Sequence, residues 1–300
     1  VVLVVALILA ACSSFAAVST PAFSSAAGAA HSGARATGPR ATTLAAGEAS
    51  SPLLPEDTLL APTVVGSNRL SLVRDRRPAL PLTGSVVGID PGHNGRNWTD
   101  PGFINQLIWN GREEETCDTT GTQTDGGYTE AQFNFNVASF LAGDLRAAGA
   151  TVVLTRSSND GVGPCVTTRS AIINRARADV AIDIHADGGP ADGRGFAILE
   201  PVADGVNDRV IAASAAFGRI LLERYRTLTG MPISTYDGVA GIAERDNLAG
   251  LNLTTVPKVL IECGNMRNAT DSALLVRTSF QQLAAKALAQ AITQYLTARD

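Results

Sequence analysis

From residue 86 onward the chain alternates short apolar runs with longer stretches of helical period. Val86-Val87-Gly88-Ile89-Asp90 is apolar and stops at Pro91-Gly92, as a buried strand does. A long polar stretch follows, through Asn97, Trp109 and Cys117 to Tyr128. Thr129 then caps a predicted helix reaching about Ala148, with Phe133, Val137, Phe140 and Leu141 on one face and Gly149 as its stop. The pattern next predicts a strand over 151–155, a helix over 166–178, strands over 180–185 and 195–200, a long helix over 208–229 and a buried strand over 257–262. Residues 235–255 carry too many Gly and polar breaks to define an element. In the last predicted helix, 279–297, Phe280, Leu283, Ala284, Ala287, Leu288, Ala291, Ile292, Tyr295 and Leu296 keep helical spacing. Strands alternating with helices imply a single α/β domain whose twisted, mostly parallel central sheet is flanked by helices. In such sheets ligands bind beyond the carboxyl ends of the strands.

The N-terminal part reads differently. VVLVVALILAACSSFAAV is nearly all apolar, with no Met or basic stretch before it. Its apolar core of about a dozen residues is short for a membrane span and suits a secretion signal entered part-way. We therefore expect a signal over roughly 1–26, cleaved near Ser19-Thr20-Pro21-Ala22. A competing reading takes Leu9-Ala10-Ala11-Cys12 as a lipoprotein signal with Cys12 lipidated. Both place the protein outside the cytoplasm, secreted or in the periplasm or envelope, with no transmembrane segment in its mature form. Residues 27–83, rich in Ala, Ser, Gly, Thr and Pro, lack an apolar period and are expected to be a flexible tether, with His31 idle. The folded domain is then 84–300, and a monomer is the default.

Net charge of −4 removes nucleic acid from the candidate partners, because phosphate binding needs a concentrated basic face. Of the four cysteines, Cys12 belongs to the signal and Cys263 to an apolar run, where it behaves as a small buried hydrophobe. Cys117 and Cys165 lie in polar loop sequence and can oxidise to a disulfide outside the cytoplasm; two unpaired surface thiols is the other reading.

Four residues stand where a parallel sheet would gather them. His93 follows the first strand by a Pro-Gly turn, His185 closes the 180–185 strand, Glu262 closes the 257–262 strand, and Glu130 opens the helix after the long loop. Two imidazoles and a carboxylate suit zinc and leave a fourth position for water, as in a catalytic site. Each residue alone has an ordinary reading. His93 could cap a turn, Glu130 could favour the helix dipole and Glu262 could be a solvated strand terminus. The separations match no compact metal motif.

The blocks Ile89-Asp90-Pro91-Gly92-His93, Thr129-Glu130-Ala131-Gln132-Phe133-Asn134, Asn174-Arg175-Ala176-Arg177-Ala178-Asp179 leading to Ile184-His185-Ala186-Asp187, and Ile261-Glu262-Cys263-Gly264 with Asn268 resemble, in order and separation, the zinc-dependent N-acetylmuramoyl-L-alanine amidases of the Amidase_3 type, in an actinobacterial-like secreted form. The resemblance covers about 85–295. It implies one Zn2+ held by His93, Glu130 and His185, with Glu262 as the catalytic carboxylate. It also implies hydrolysis of the amide between N-acetylmuramic acid and L-alanine, with peptidoglycan or its muropeptide fragments as partner. Asp90 or Asp187 would orient a ligand imidazole or, alternatively, cap turns. The family pattern has a second Gly at Asn94, frequently Asn at Asp187, and an aromatic-aliphatic pair at Asn265-Met266. Rival readings are another zinc amidohydrolase or peptidase of the cell wall, and a non-catalytic envelope-binding protein.

Overall fold

The computed structural model describes residues 79–298. The expected secretion signal, Cys12, His31 and nearly all of the expected tether lie outside the described residues.

In chain order the elements are β1 (Val86–Pro91), α1 (Pro101–Ile104), β2 (Leu107–Trp109), β3 (Glu114–Thr116), α2 (Glu130–Ala147), β4 (Thr151–Leu154), α3 (Val166–Ala176), β5 (Val180–Asp187), β6 (Ala197–Pro201), α4 (Ile211–Thr229), β7 (Ile242–Arg245), α5 (Ala249–Asn252), β8 (Lys258–Asn265), α6 (Ala269–Leu275) and α7 (Thr278–Thr297). Six strands form one sheet in the order β4-β1-β5-β8-β6-β7, and β2 and β3 form a separate antiparallel hairpin. β4, β1, β5 and β8 run parallel; β6 is antiparallel to β8, with β7 parallel to β6. The mostly parallel α/β architecture expected from the sequence is what the chain adopts.

Side chains alternate across a strand, so the register of these pairings sorts residues onto two faces. Val87, Ile89, Val180, Ile182, Ile184, Val259, Ile261 and Cys263 are fully buried on one face, against α2, α4 and α7. The other face carries Asp90, Asp183, His185, Lys258 and Glu262, paired in register as Asp90 with Asp183 and His185 with Glu262. Smaller apolar groups around Ile173 and Leu260 fill the rest of this second face, which is covered by α3 and α5. The apolar face buries the hydrophobic core, and the polar face positions the chemistry.

Several elements lie where no period was legible. The long polar stretch folds into α1 and the β2–β3 hairpin, and 235–255 holds edge strand β7 and the single turn α5. Each has only three or four residues, too few to complete an apolar repeat. Asn268 caps α6 by accepting from the N–H groups of Thr270 and Asp271. β5 and β8 also continue past His185 and Glu262, to Asp187 and Asn265, because the strand ladder needs no apolar side chains. The two residues thus sit inside their strands, a short step before the ends. The expected boundary at residue 83 falls within the fold as well. Leu82 is buried, and its N–H donates to the Ala148 carbonyl at 2.9 Å. No described helix is long and apolar enough to cross a membrane.

Leu288 on α7 is fully buried, whereas Leu283 on the same helix is half-buried. Leu288→Ala is expected to lower unfolding stability by about 2–5 kcal/mol, because it removes core contacts and leaves a cavity. Leu283→Ala should have a smaller effect, and urea unfolding of both variants measures the difference.

Candidate metal centre and its groove

The tight Pro91-Gly92 turn brings His93 over the sheet edge with φ at 58°, a left-handed conformation uncommon outside glycine. Its ring meets that of His185 edge-to-face, with centroids 4.9 Å apart. A side chain at Gly92 would overlap the His185 ring, so this close approach requires glycine. Thr129 caps α2 by accepting from the Gln132 N–H, which makes Glu130 the first helical residue and aims it between the rings. Glu130 Oε1 lies 3.4 Å from His93 Nε2 and 2.9 Å from His185 Nδ1, and its Oε2 accepts from the Thr122 N–H at 2.9 Å. One ligand atom from each of the three residues falls within 4.8 Å of the other two, an arrangement that could hold a metal ion.

The remaining ring nitrogens fix which atoms are free. His93 Nδ1 faces the Thr119 carbonyl and hydroxyl, both at 3.2 Å, and Asp118 Oδ1 at 3.3 Å. Carrying the hydrogen there leaves the Nε2 lone pair pointing at the cluster. His185 Nε2 faces Asp183 Oδ1 at 3.4 Å, an ion-pair distance, and leaves Nδ1 for the cluster. Burial would raise the Glu130 carboxyl, but both imidazoles outweigh it and hold Glu130 well below its usual range. Burial would likewise lower His93, but Glu130 and Asp118 push it up to about 9. Three carboxylates, Glu130, Asp118 and Asp183, thus surround the two imidazoles.

Behind the two histidines, ionic groups alternate in sign through the protein. Asp118 Oδ2 accepts from Arg169 at 3.1 Å, and Arg169 also donates to Asp90 at 3.0 Å. Lys258 Nζ lies 3.3 Å from both Asp90 and Asp183. Arg169 and Lys258 are almost entirely shielded from solvent. Burial alone would raise the Asp90 carboxyl, but Lys258 and Arg169 hold it well below the usual carboxylate range. The chain of contacts thus runs His93–Asp118–Arg169–Asp90–Lys258–Asp183–His185.

Glu262 pairs in register with His185, and its Oε2 is buried without a hydrogen-bond partner. Burial, reinforced by Glu130 and Asp187 against the opposing pull of His185, pushes its carboxyl up to about 8. Glu262, His93, Glu130 and His185 open into one groove of ≈ 670 Å³. Leu199 and Leu260 line it from the sheet, Glu113 and Glu115 from the hairpin, and Arg245 lines it from the end of β7. Glu115 ties the hairpin to α5 by accepting from the Ala249 N–H at 3.1 Å. Cys117 and Cys165 are paired as a disulfide, Cα atoms 4.8 Å apart, and Cys263 is a free, buried thiol.

The structure therefore brings together His93, Glu130, His185 and Glu262. The sequence left Asp90 or Asp187 either to orient an imidazole or to cap a turn; the carboxylates beside the rings are Asp118 and Asp183. Asp90 acts at one remove through Arg169, and Asp187 accepts from the Gly188 N–H at 2.6 Å, a turn contact. Asp183 and Lys258 did leave a signal, as charges inside apolar strands. Asp118 and Arg169 left none.

The N-acetylmuramoyl-L-alanine amidase family model, Amidase_3, matches residues 87–294, well over half of the chain. The chain belongs to this family. It is therefore a hydrolase of the amide bond between N-acetylmuramic acid and L-alanine. Among its relatives, N-acetylmuramoyl-L-alanine amidase Rv3717 of Mycobacterium tuberculosis is 37% identical over 215 residues, covering 72% of this chain and 88% of that protein. The crystal structure of the amidase Ami1 from Mycobacterium smegmatis is similar with a TM-score of 0.68 and 35% identity, over 72% of this chain and 99% of that one. Apo Ami1 from Mycobacterium abscessus matches with a TM-score of 0.68 and 37% identity, over 72% of this chain and 100% of that one.

Where this amidase departs from the family pattern, the replacements secure loops around the groove. Asn94 is buried and donates to the Gly163 carbonyl at 2.7 Å while accepting from Gly95 and Gly161. Asn265 donates to the carbonyls of Pro190 and Gly193.

Lys258→Met would leave buried Asp183 without its lysine and Asp90 with Arg169 as its remaining cation, and is expected to cost about 3–5 kcal/mol of stability. Adding Asp183→Asn should recover part of that loss, because the uncompensated charge is removed. A double-mutant cycle in denaturant tests the coupling; additive losses would contradict it.

Proposed function

We propose that this amidase uses one Zn2+, held by His93 Nε2, Glu130 Oε1 and His185 Nδ1, and Glu262 as general base. The observation that carries the reading is the convergence of those three atoms beside the unpartnered, buried Oε2 of Glu262. Two imidazoles and one carboxylate are a donor set that suits zinc and leaves an open position. When bound, the ion supplies Lewis acidity to the lactyl carbonyl of N-acetylmuramic acid and to water.

This chain's own groups do the rest. Glu262 takes the proton of the attacking water at Oε2 and returns it to the departing nitrogen of L-alanine. A carboxyl raised toward neutrality is matched to both transfers. Asp118 holds His93 in the tautomer that presents Nε2, and Asp183 faces Nε2 of His185 at ion-pair distance, which leaves Nδ1 toward the centre. Cell-wall substrate, the Cys117–Cys165 pair and the apolar run over 1–18 support an extracytoplasmic location, with residues 1–26 as a cleaved signal, the expected tether after it and the chain acting as a monomer.

Wild-type protein and Glu262→Gln, both loaded with zinc, are to be incubated with purified peptidoglycan and the fragments identified by mass spectrometry. Wild type should release stem peptides beginning with L-alanine, and the variant should be slower by about 10²–10⁴-fold with its zinc retained. Two zinc-loaded proteins that both fail to release peptides would sink the reading.

Metal affinity should also depend on pH. A cation must displace the proton that the surrounding carboxylates keep on His93 below about 9. Zinc binding is therefore expected to weaken as pH falls, by about tenfold per unit for each proton displaced. Chelator competition at several pH values measures this, and a flat profile would contradict it.

A further inference from the structure

A second cleft, of ≈ 530 Å³, opens on the other side of the metal centre. It shares Gly121 and Thr122 with the main groove, and the same two residues back the metal centre. Thr122 donates to Glu130, and a Cβ at Gly121 (φ 69°) would come within 2.7 Å of both Glu130 and His93. The partition between the cleft and the candidate ligands is one residue thick. The cleft and the main groove thus share a rim at Gly121 and Thr122, beside the candidate ligands.

The two cavities differ in charge. Away from the metal centre, the main groove carries Glu113, Glu115 and Arg245. The second cleft has no ionisable side chain in its lining; Thr120, Gln123 and Thr129 offer hydroxyl and amide groups, and Trp98 forms one wall. Trp98 is 70% exposed, on a short turn whose neighbour Asn97 is fully buried. Asn97 donates to the Thr119 carbonyl at 2.7 Å and accepts from the Gly163 N–H at 2.8 Å. The backbone is thus anchored while the indole face stands in solvent.

A neutral cleft with hydroxyl and amide groups beside an exposed indole matches one chemical class. A pyranose ring presents C–H bonds on its face, complementary to the negative face of an aromatic ring, with hydroxyl and acetamido groups at its rim. A stem peptide carries carboxylates, which this lining has no cation to meet. We infer that the Trp98 cleft binds the N-acetylated glycan strand, and that the substrate lies across the metal centre with sugars on the Trp98 side and the stem peptide in the groove of Glu113 and Arg245. The inference rests on the amidase reading and gives its substrate a direction.

The chain has two tryptophans, so Trp109→Phe leaves Trp98 as the single indole reporter. Titrating that variant with tetra-N-acetylchitotetraose should change Trp98 emission saturably, and free stem peptide should not. In the otherwise wild-type protein, Trp98→Ala should raise KM for soluble peptide-bearing glycan chains about tenfold, the factor for about 1.4 kcal/mol of lost contact. Its kcat should stay within about twofold, and Trp98→Phe should restore most of the KM. The proposal is overturned if the sugar leaves the emission unchanged, if stem peptide alone changes it, or if Trp98→Ala has wild-type KM while the wild type releases stem peptides. Failure of the wild type to release stem peptides counts against the amidase mechanism, and the sugar titration still decides the cleft.

Discussion

Across β1, β5 and β8 successive side chains point to opposite faces, so a slip of one residue would send Asp90, Asp183, Lys258 and Glu262 into the helix layer. That slip would bury carboxylates among Val137, Leu288 and Ile292, at a desolvation cost no local contact could offset. The apolar side of each strand therefore enforces the register, and the register aligns His185 with Glu262. The Pro91-Gly92 turn and the Thr129 cap then bring His93 and Glu130 to the same edge.

The second consequence is electrostatic. Buried charges are tolerated when each meets its opposite, and here the signs alternate from Asp118 through Arg169, Asp90 and Lys258 to Asp183. Both ends of the series stop at a histidine of the candidate metal centre. The two imidazoles are thus held from behind by parts of a common network, which links the strand pair β5–β8, helix α3 and the loop before α2. Such a network is a weak source of net stability, because desolvation offsets much of its attraction. Its physical return is orientation.

The polar face also accounts for where the groove lies. α3, α5 and the β2–β3 hairpin cover that face incompletely, and the uncovered strip becomes the groove. The Cys117–Cys165 bond and the backbone contact from Val166 to the Cys117 carbonyl hold the loop that carries Asp118 against the start of α3. A charged groove and a neutral cleft meet at Gly121 and Thr122, beside the candidate metal centre.

How much of this was legible in the sequence depends on the range of the interaction involved. Periodicity alone marked α2, α4, α7 and the central strands, because a buried face repeats every few residues. Four widely spaced blocks pointed to His93, Glu130, His185 and Glu262 through their resemblance to the amidase family, because each residue alone has an ordinary local reading. Asp118, Arg169 and the Trp98 cleft carried no such signal. Asp118 meets Arg169 51 positions away, and Lys258 meets Asp90 168 positions away. Contacts of that kind depend on which strand lies beside which and on how loops fold over the sheet edge. The amino-acid sequence determined the layers, the helix faces and the reactive groups; only the tertiary structure decided which charges neutralise one another and which surfaces remain open, because those outcomes arise between segments that share no local pattern.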